Sequence, residues 1–149
     1  MKKTIIPFTQ VPQLSKTDLA YACGDPKLEP FFTYAPAMDS FDQAIQDRTD
    51  IDYPRTQLAD LLEQQYAGLP KEEQVWSNIQ ALRNSNTFVI TTAHQPSLFL
   101  GPLYFIYKAL TAINLAEAVE ARKGNTGRII PVFVLGSEDH DLEELNKVN

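Results

Sequence analysis

Two apolar runs in the second half of the chain are separated by a long helical pattern. Residues 87–92 and 129–135 are rich in β-branched and aromatic side chains without strict alternation, which predicts two strands that are covered on both faces. A helix is predicted from about Leu103, and its apolar stripe includes Ile106, Leu110, Ile113 and Val119. Its end is indicated by Arg122, Lys123 and Gly124. Strand, helix and strand predict a right-handed crossover unit with parallel strands.

Three amphipathic helices are predicted before the first of these strands. Asp39 or Ser40 is placed to cap a helix over 41–49. Pro54 opens a second helix, and Gly68 and Pro70 end it. Its apolar stripe consists of Leu58, Leu61, Leu62 and Tyr66. A third helix, from about Lys71 to Asn84, carries the stripe Val75, Trp76, Ile79 and Leu82.

The first 36 residues are irregular and rich in proline and aromatic side chains. Residues 4–6 are predicted to form an edge strand, and Ser15 or Thr17 to cap a short helix that runs through Tyr21. We therefore expect residues 1–86 to be an irregular and helical segment that packs on a core, and residues 87–149 to be the first strand–helix–strand unit of that core.

Composition narrows the class of protein. The hydrophobic content of 44% and charged content of 21% are ordinary for a soluble globular protein. The net charge of −6, without a long Lys/Arg cluster, disfavours a nucleic-acid surface. No stretch reaches the roughly 20 apolar residues of a membrane span, and no secretory signal is recognisable. The cytoplasm is the expected compartment. Cys23, the only cysteine, is expected to be a buried structural thiol.

The loop after the first predicted strand combines polar side chains with the start of a helix. Here the chain reads AHQPSLFLGPLY, from Ala93 to Tyr104. Free N–H groups and the helix dipole favour an anion at such a start, and Gly101 permits a close backbone approach. Tyr104 and Lys108 are four residues apart and share a face, so that Lys108 is placed to neutralise a phosphate or carboxylate. The alternative is that Tyr104 only packs and Lys108 is only solvated.

The loop after the second predicted strand places three carboxylates around one imidazole. Ser137 precedes Glu138, Asp139, His140 and Asp141. Such crowding raises the basicity of the histidine, which suits general acid/base chemistry or recognition of ammonium and hydroxyl groups. The alternative is that Ser137 or Asp139 caps a helix over 141–147.

Both polar loops are expected at one edge of the parallel sheet, where open α/β folds bind their ligands. Metal binding is a rival use, since His94, His140 and one carboxylate are three possible ligands. However, no pair has the H-x-x-x-H helix spacing and no cysteine ligand set exists, so we assign no metal. Because two parallel strands cannot bury both of their faces, we expect the 149 residues to be the truncated amino-terminal part of a larger core.

Specific motifs in this region resemble those of a known family. The G-P-L-Y-x-x-Y-K helix start (Gly101 to Lys108) and the E-D-H-D loop (Glu138 to Asp141) are similar to those of the bacillithiol biosynthesis cysteine-adding enzymes. The earlier FFTYAPAMDSFDQAI resembles the amino-terminal region of that family. Almost the whole chain takes part in the resemblance.

The resemblance implies an α/β fold, a Rossmann-like parallel sheet with flanking helices, and in the complete protein a coiled coil used in homodimerisation. It also implies a ligase that joins the carboxyl group of cysteine to the amine of glucosaminyl malate. ATP is the expected cosubstrate, by analogy with relatives that form adenylates. A non-catalytic nucleotide- or sugar-binding module, or an assembly subunit, is the alternative.

The chain departs from the family pattern at its first polar loop. Many members read T-G-Q-Q-x-G-L-F-T-G-P where this chain has His94 at the first glutamine position. We expect His94, Gln95, Gly101, Tyr104 and Lys108 to form a wall that binds substrate. The resemblance and the chemistry together place the catalytic groups at Glu138, Asp139 and His140, with Ser137 and Asp141 as further substrate-binding residues.

Overall fold

A computed structural model describes residues 4–97, 99, 101–122 and 127–137. The chain divides into two compact units, Met1–Ala44 and Ile45–Asn149. The helices are α1 (Lys16–Cys23), α2 (Ser40–Thr49), α3 (Arg55–Tyr66), α4 (Glu73–Ala81) and α5 (Leu103–Glu120), with 3-10 turns at Phe8–Gln10 and Pro26–Phe31. The strands are β1 (Thr87–His94) and β2 (Arg128–Leu135). The predicted order of elements is confirmed from α1 onward, whereas the predicted division at residue 86 stays a prediction.

The first unit is built from short elements with little buried surface. Ser15 begins α1 with a reciprocal capping box, in which its hydroxyl accepts from the backbone N–H of Asp18 and the Asp18 carboxylate accepts from the N–H of Ser15. The prediction of an edge strand at residues 4–6 is wrong, because these residues have no strand partner. The prediction of a buried Cys23 is also wrong. Its thiol is exposed, since α1 buries none of its residues.

The two strands of the second unit pair in parallel, as predicted. The backbone N–H of Arg128 donates to the Asn86 carbonyl at 3.0 Å, and that of Gly136 donates to the His94 carbonyl at 3.0 Å. Because backbone direction alternates along a strand, the even-numbered residues of β2 point their backbone groups at β1. The odd-numbered residues point theirs at the outer edge.

In the first half of β2, the backbone N–H groups on the outer edge are not available to pair with another strand. The N–H of Ile129 donates to Oε2 of Glu120 at 2.8 Å, and Pro131, the next outward position, has no N–H to donate. Proline inside a strand is tolerated where its nitrogen faces away from the paired neighbour. A carboxylate from the end of α5 thus fixes the start of β2 beside the last turn of that helix.

Helices α3 and α4 contact each other, and both are tied by hydrogen bonds to the first residue of β1. Ala59 and Ile79 are buried, whereas Leu58 and Leu61 of the predicted α3 stripe are exposed. The guanidinium of Arg55 donates to the Thr87 carbonyl at 2.9 Å. This contact holds α3 against the first residue of β1.

Helix α5 buries mainly small side chains, and only one residue of its predicted stripe is among them. Ala112, Ala116 and Val119 are buried. Three residues of the predicted stripe, Ile106, Leu110 and Ile113, are instead among the exposed large hydrophobic residues. The predicted stripe is thus confirmed at Val119 and wrong at these three positions. Helix α5 is apolar nearly all round, so periodicity alone does not identify the face that meets the sheet.

The described residues contain no helix that is long and apolar enough to span a membrane.

Candidate functional site

The side chain of His94 connects the end of β1 to the start of α5. His94 is the last residue of the strand, and its Nδ1 lies 3.0 Å from the carbonyl oxygen of Gln95. Its Nε2 lies 2.9 Å from the hydroxyl oxygen of Tyr104, in the first turn of α5. The ring also meets Phe105 edge-on, with centroids 5.6 Å apart. Two hydrogen bonds and an aromatic contact therefore hold the imidazole in place.

Tyr104 and Lys108 lie on successive turns of α5 and share a face, as their spacing predicts. The Lys108 ammonium is 5.5 Å from the centroid of the Tyr104 ring, a distance suited to a cation–π contact. It also donates to the Ala93 carbonyl at 3.3 Å. The ammonium is therefore held beside the carboxyl end of β1, and it is the positive charge that the described residues bring to this edge.

The loop between β1 and α5 turns tightly at Gly101, which has a φ of +60°. A Cβ at this position would lie 2.7 Å from Cβ of Ser97 and 2.9 Å from its Oγ, closer than these atoms can approach. Glycine is therefore required at this position by both conformation and space. The close approach of Gly101 to Ser97 folds the loop back on itself ahead of the helix.

The start of α5 suits a negatively charged group. Pro102 occupies the N-cap position, and no side chain caps the helix. The first backbone N–H groups of a helix lack intrahelical acceptors, and the helix dipole adds partial positive charge there. With Lys108 one turn beyond Tyr104, this end of the helix offers backbone N–H groups and one full charge to a phosphate or carboxylate.

A small aromatic cluster between α5 and β2 supports the site. Phe105 packs against Phe133 of β2 with ring centroids 4.8 Å apart and the ring planes tilted by 42°, and it also contacts His94. Sequence reasoning missed both phenylalanines as supports of the site. The available signal was the position of Phe105 directly after Tyr104, with Phe133 on the strand that the helix crosses.

The structure brings together the predicted residues of the first loop. The side chains of His94 and Tyr104 are hydrogen-bonded to each other, and the Lys108 ammonium lies over the Tyr104 ring. The backbone carbonyl of Gln95 accepts a hydrogen bond from the His94 ring. Gly101 forms the turn that precedes them. In the second loop, the backbone N–H of Ser137 donates to the Leu135 carbonyl at 3.0 Å. The catalytic assignments Glu138, Asp139 and His140, together with Asp141, lie outside the described residues.

Among residues 4–97, 99, 101–122 and 127–137, no group of three His, Cys, Asp or Glu side chains is placed to hold a metal ion. The rival set of His94 with His140 and a carboxylate includes positions beyond this part of the chain. The assignment of no metal therefore stays a prediction.

A parallel sheet with helices around it, and polar side chains at the carboxyl ends of its strands, defines an α/β domain of the Rossmann-like class. The whole chain, residues 1–149, matches the family described as "Bacillithiol biosynthesis BshC, N-terminal Rossmann-like domain". The chain belongs to this family.

Curated relatives extend the comparison. The chain is 39% identical over 134 residues to a protein of Cytophaga hutchinsonii. The aligned region covers 90% of this chain and 26% of the relative. A protein of Flavobacterium psychrophilum is 34% identical and covers 100% of the chain and 28% of its own length. A third, from Heliobacterium modesticaldum, is 42% identical over 103 residues, 64% of the chain and 18% of the relative. All three carry the name "Putative cysteine ligase BshC". The chain thus spans about a quarter of the length of the first two.

Proposed function

We propose that this chain forms the amino-terminal part of a ligase that adds L-cysteine to the amine of glucosaminyl malate, the last step of bacillithiol biosynthesis. The observation that carries the proposal is membership of the BshC family over all 149 residues, together with relatives named as cysteine ligases. The complete enzyme is proposed to be a cytoplasmic homodimer that pairs through a coiled coil.

The reaction requires an activated carboxyl group, because an amine does not displace hydroxide from a free carboxylate. ATP is the proposed cosubstrate. Attack of the cysteine carboxylate on the α-phosphorus would give cysteinyl adenylate and pyrophosphate. Attack of the neutral amine of glucosaminyl malate on the adenylate carbonyl would then form the amide, release AMP and lose one proton.

The first-loop residues suit the anionic parts of these reactants. The uncapped start of α5 and the Lys108 ammonium provide donors and charge for a phosphate or carboxylate. Gly101 lets the loop close tightly against Ser97 just before the helix start, which a residue with a side chain would prevent. We assign His94, Gln95, Gly101, Tyr104 and Lys108 to this substrate-binding wall.

The second-loop residues suit the proton transfer. The attacking nitrogen must be neutral to react, so a base has to accept its proton. Glu138, Asp139 and His140 are the proposed catalytic groups, and Ser137 and Asp141 the proposed partners of substrate hydroxyl and ammonium groups. These roles rest on the sequence of the loop and on the position of Ser137 at the carboxyl end of β2.

The direct test uses the full-length protein that carries these residues, incubated with cysteine, glucosaminyl malate and ATP. Bacillithiol is measured by thiol labelling and chromatography, and AMP and ADP are measured in the same samples. Formation of bacillithiol with equimolar AMP is expected. Bacillithiol with ADP would reject the adenylate while keeping the ligase, and no bacillithiol would reject the ligase.

His140→Ala in the same protein tests the second loop. It should abolish product while the far-ultraviolet circular dichroism spectrum and melting temperature stay close to those of the unchanged protein. Product formation at the original rate would remove His140 from the mechanism.

A further inference from the structure

The hydrogen bonds of His94 fix the direction in which Tyr104 can bond to a ligand. Nδ1 of His94 lies 3.0 Å from the carbonyl oxygen of Gln95. A carbonyl oxygen only accepts hydrogen bonds, so Nδ1 carries the proton. A neutral imidazole has a single ring proton, and Nε2 is therefore left with a lone pair.

Tyr104 must then donate to His94. The two atoms, Nε2 of His94 and the hydroxyl oxygen of Tyr104, are 2.9 Å apart, and Tyr104 holds the only proton available to that bond. Once this proton is used, the phenolic oxygen has only lone pairs left. Because Tyr104 is 46% exposed, those lone pairs are accessible from solvent at the start of α5.

The neighbouring charge selects among possible donors. The Lys108 ammonium is 5.5 Å from the ring centroid of Tyr104 and is fixed there by the Ala93 carbonyl. A second cation beside it would be repelled, whereas a neutral O–H group would not. We propose that Tyr104 is a specificity residue that accepts a hydrogen bond from a neutral hydroxyl group of the substrate, and that His94 is the positioning residue that sets this polarity.

In the proposed ligase the hydroxylated substrate is glucosaminyl malate, so this assignment rests on the proposed function. It adds that the sugar, rather than cysteine, meets Tyr104. Glutamine at position 94 would not impose the same polarity, because an amide offers both a donor and an acceptor to the phenol. His94→Gln therefore tests the polarity specifically, because it keeps a polar side chain but no longer fixes the direction of the hydrogen bond with Tyr104.

The first experiment determines the tautomer and does not depend on ligase activity. The full-length protein is labelled with ¹⁵N-histidine, and ring nitrogen shifts are recorded at a pH where histidine is neutral. The signals that disappear in His94→Gln are those of His94. A pyrrole-type Nδ1 with a pyridine-type Nε2 is expected, and the reverse assignment would overturn the inference.

The second experiment measures binding by calorimetry to the full-length protein, separately for glucosaminyl malate and for cysteine. Loss of one neutral hydrogen bond in Tyr104→Phe should raise the dissociation constant for glucosaminyl malate by about three- to tenfold. That for cysteine should not change. His94→Gln should give a smaller change in the same direction.

Tyr107→Phe is the matched control, because it removes a hydroxyl from the same helix at an exposed position outside the His94 contact. Unchanged binding of glucosaminyl malate by Tyr104→Phe, equal losses for both substrates, or no binding to the unchanged protein would each overturn the assignment. A protein that binds glucosaminyl malate as expected but makes no bacillithiol would instead reject only the proposed reaction.

Discussion

The imidazole Nε2 of His94 lies 2.9 Å from the hydroxyl oxygen of Tyr104, although the two residues are ten positions apart in the sequence. This bond joins the last residue of β1 to the first turn of α5. The hydrogen bond between His94 and Tyr104 therefore fixes both ends of the loop that joins them. It also fixes where the helix start and the Lys108 ammonium lie relative to the end of β1. The candidate site depends on the strand end and the helix start together.

Gly101→Ala should disrupt the loop that delivers α5. The left-handed conformation costs a residue with a side chain about 1–2 kcal/mol, and the new Cβ would also meet Ser97 at 2.7 Å. We expect a lower melting temperature and weaker substrate binding. Adding Ser97→Gly should recover the part of the loss that comes from the clash.

The control for this substitution is Gly68→Ala, because a Cβ at Gly68 meets no atom within 4 Å. It should leave the free energy of unfolding nearly unchanged. Equal behaviour of the two alanine variants would show that Gly101 is not constrained.

Glu120→Ala should destabilise the start of β2. The carboxylate accepts the Ile129 N–H at 2.8 Å, and a backbone donor without that partner must turn to water at the strand edge. We expect a loss of about 1–2 kcal/mol in urea unfolding. Glu117→Ala, one turn earlier and exposed, removes a carboxylate without touching the strand, so a similar loss there would contradict the account.

The ion pairs between α3 and Arg83, which follows the end of α4, should make stability depend on acid pH. Arg83 lies 2.6 Å from the carboxylate of Glu63 and 2.8 Å from that of Asp60. Hydrogen bonds from Arg83 first, and then from Gln80, lower the pKa of Glu63 below its usual 4.5. Because the folded pKa is depressed, the stabilisation is present above the unfolded pKa and is lost as the pH falls through the folded value.

Arg83→Gln should therefore reduce the melting temperature near neutral pH and flatten its fall between about pH 5 and pH 3. Thermal melts across this range, in low and high salt, measure the effect. Because the pair is part-exposed, salt should narrow the difference between the two proteins. An unchanged slope would show that the contact does not contribute to acid sensitivity.

The order of helices and strands could be predicted because local signals agreed with the fold. Ser15 caps α1 as its residue type indicates, and the β-branched runs at 87–92 and 129–135 do form parallel strands. The buried face of α5 could not be predicted in the same way. Its alanines are buried while larger apolar residues stay exposed. Which face is buried depends on how closely the helix approaches the sheet, and periodicity does not specify that distance.

The candidate site was predictable in part for a similar reason. The spacing of Tyr104 and Lys108 places them on one helix face in any α-helix. The bond from His94 to Tyr104, by contrast, depends on the path of the loop through Gly101. Sequence spacing does not specify that path, so the contact became known only from the structure.

If the carboxyl end of β1 and the start of α5 bind the substrates of a ligase, Lys108→Met should lower the catalytic efficiency of that ligase. Lys71→Met is the matched control, because the Lys71 ammonium lies 5.3 Å from the Trp76 ring centroid, much as Lys108 lies 5.5 Å from that of Tyr104. The measurement is kcat/KM for bacillithiol formation by the full-length protein. We predict a fall of about tenfold or more for Lys108→Met and no change for Lys71→Met, whereas an unchanged kcat/KM for Lys108→Met would contradict the account.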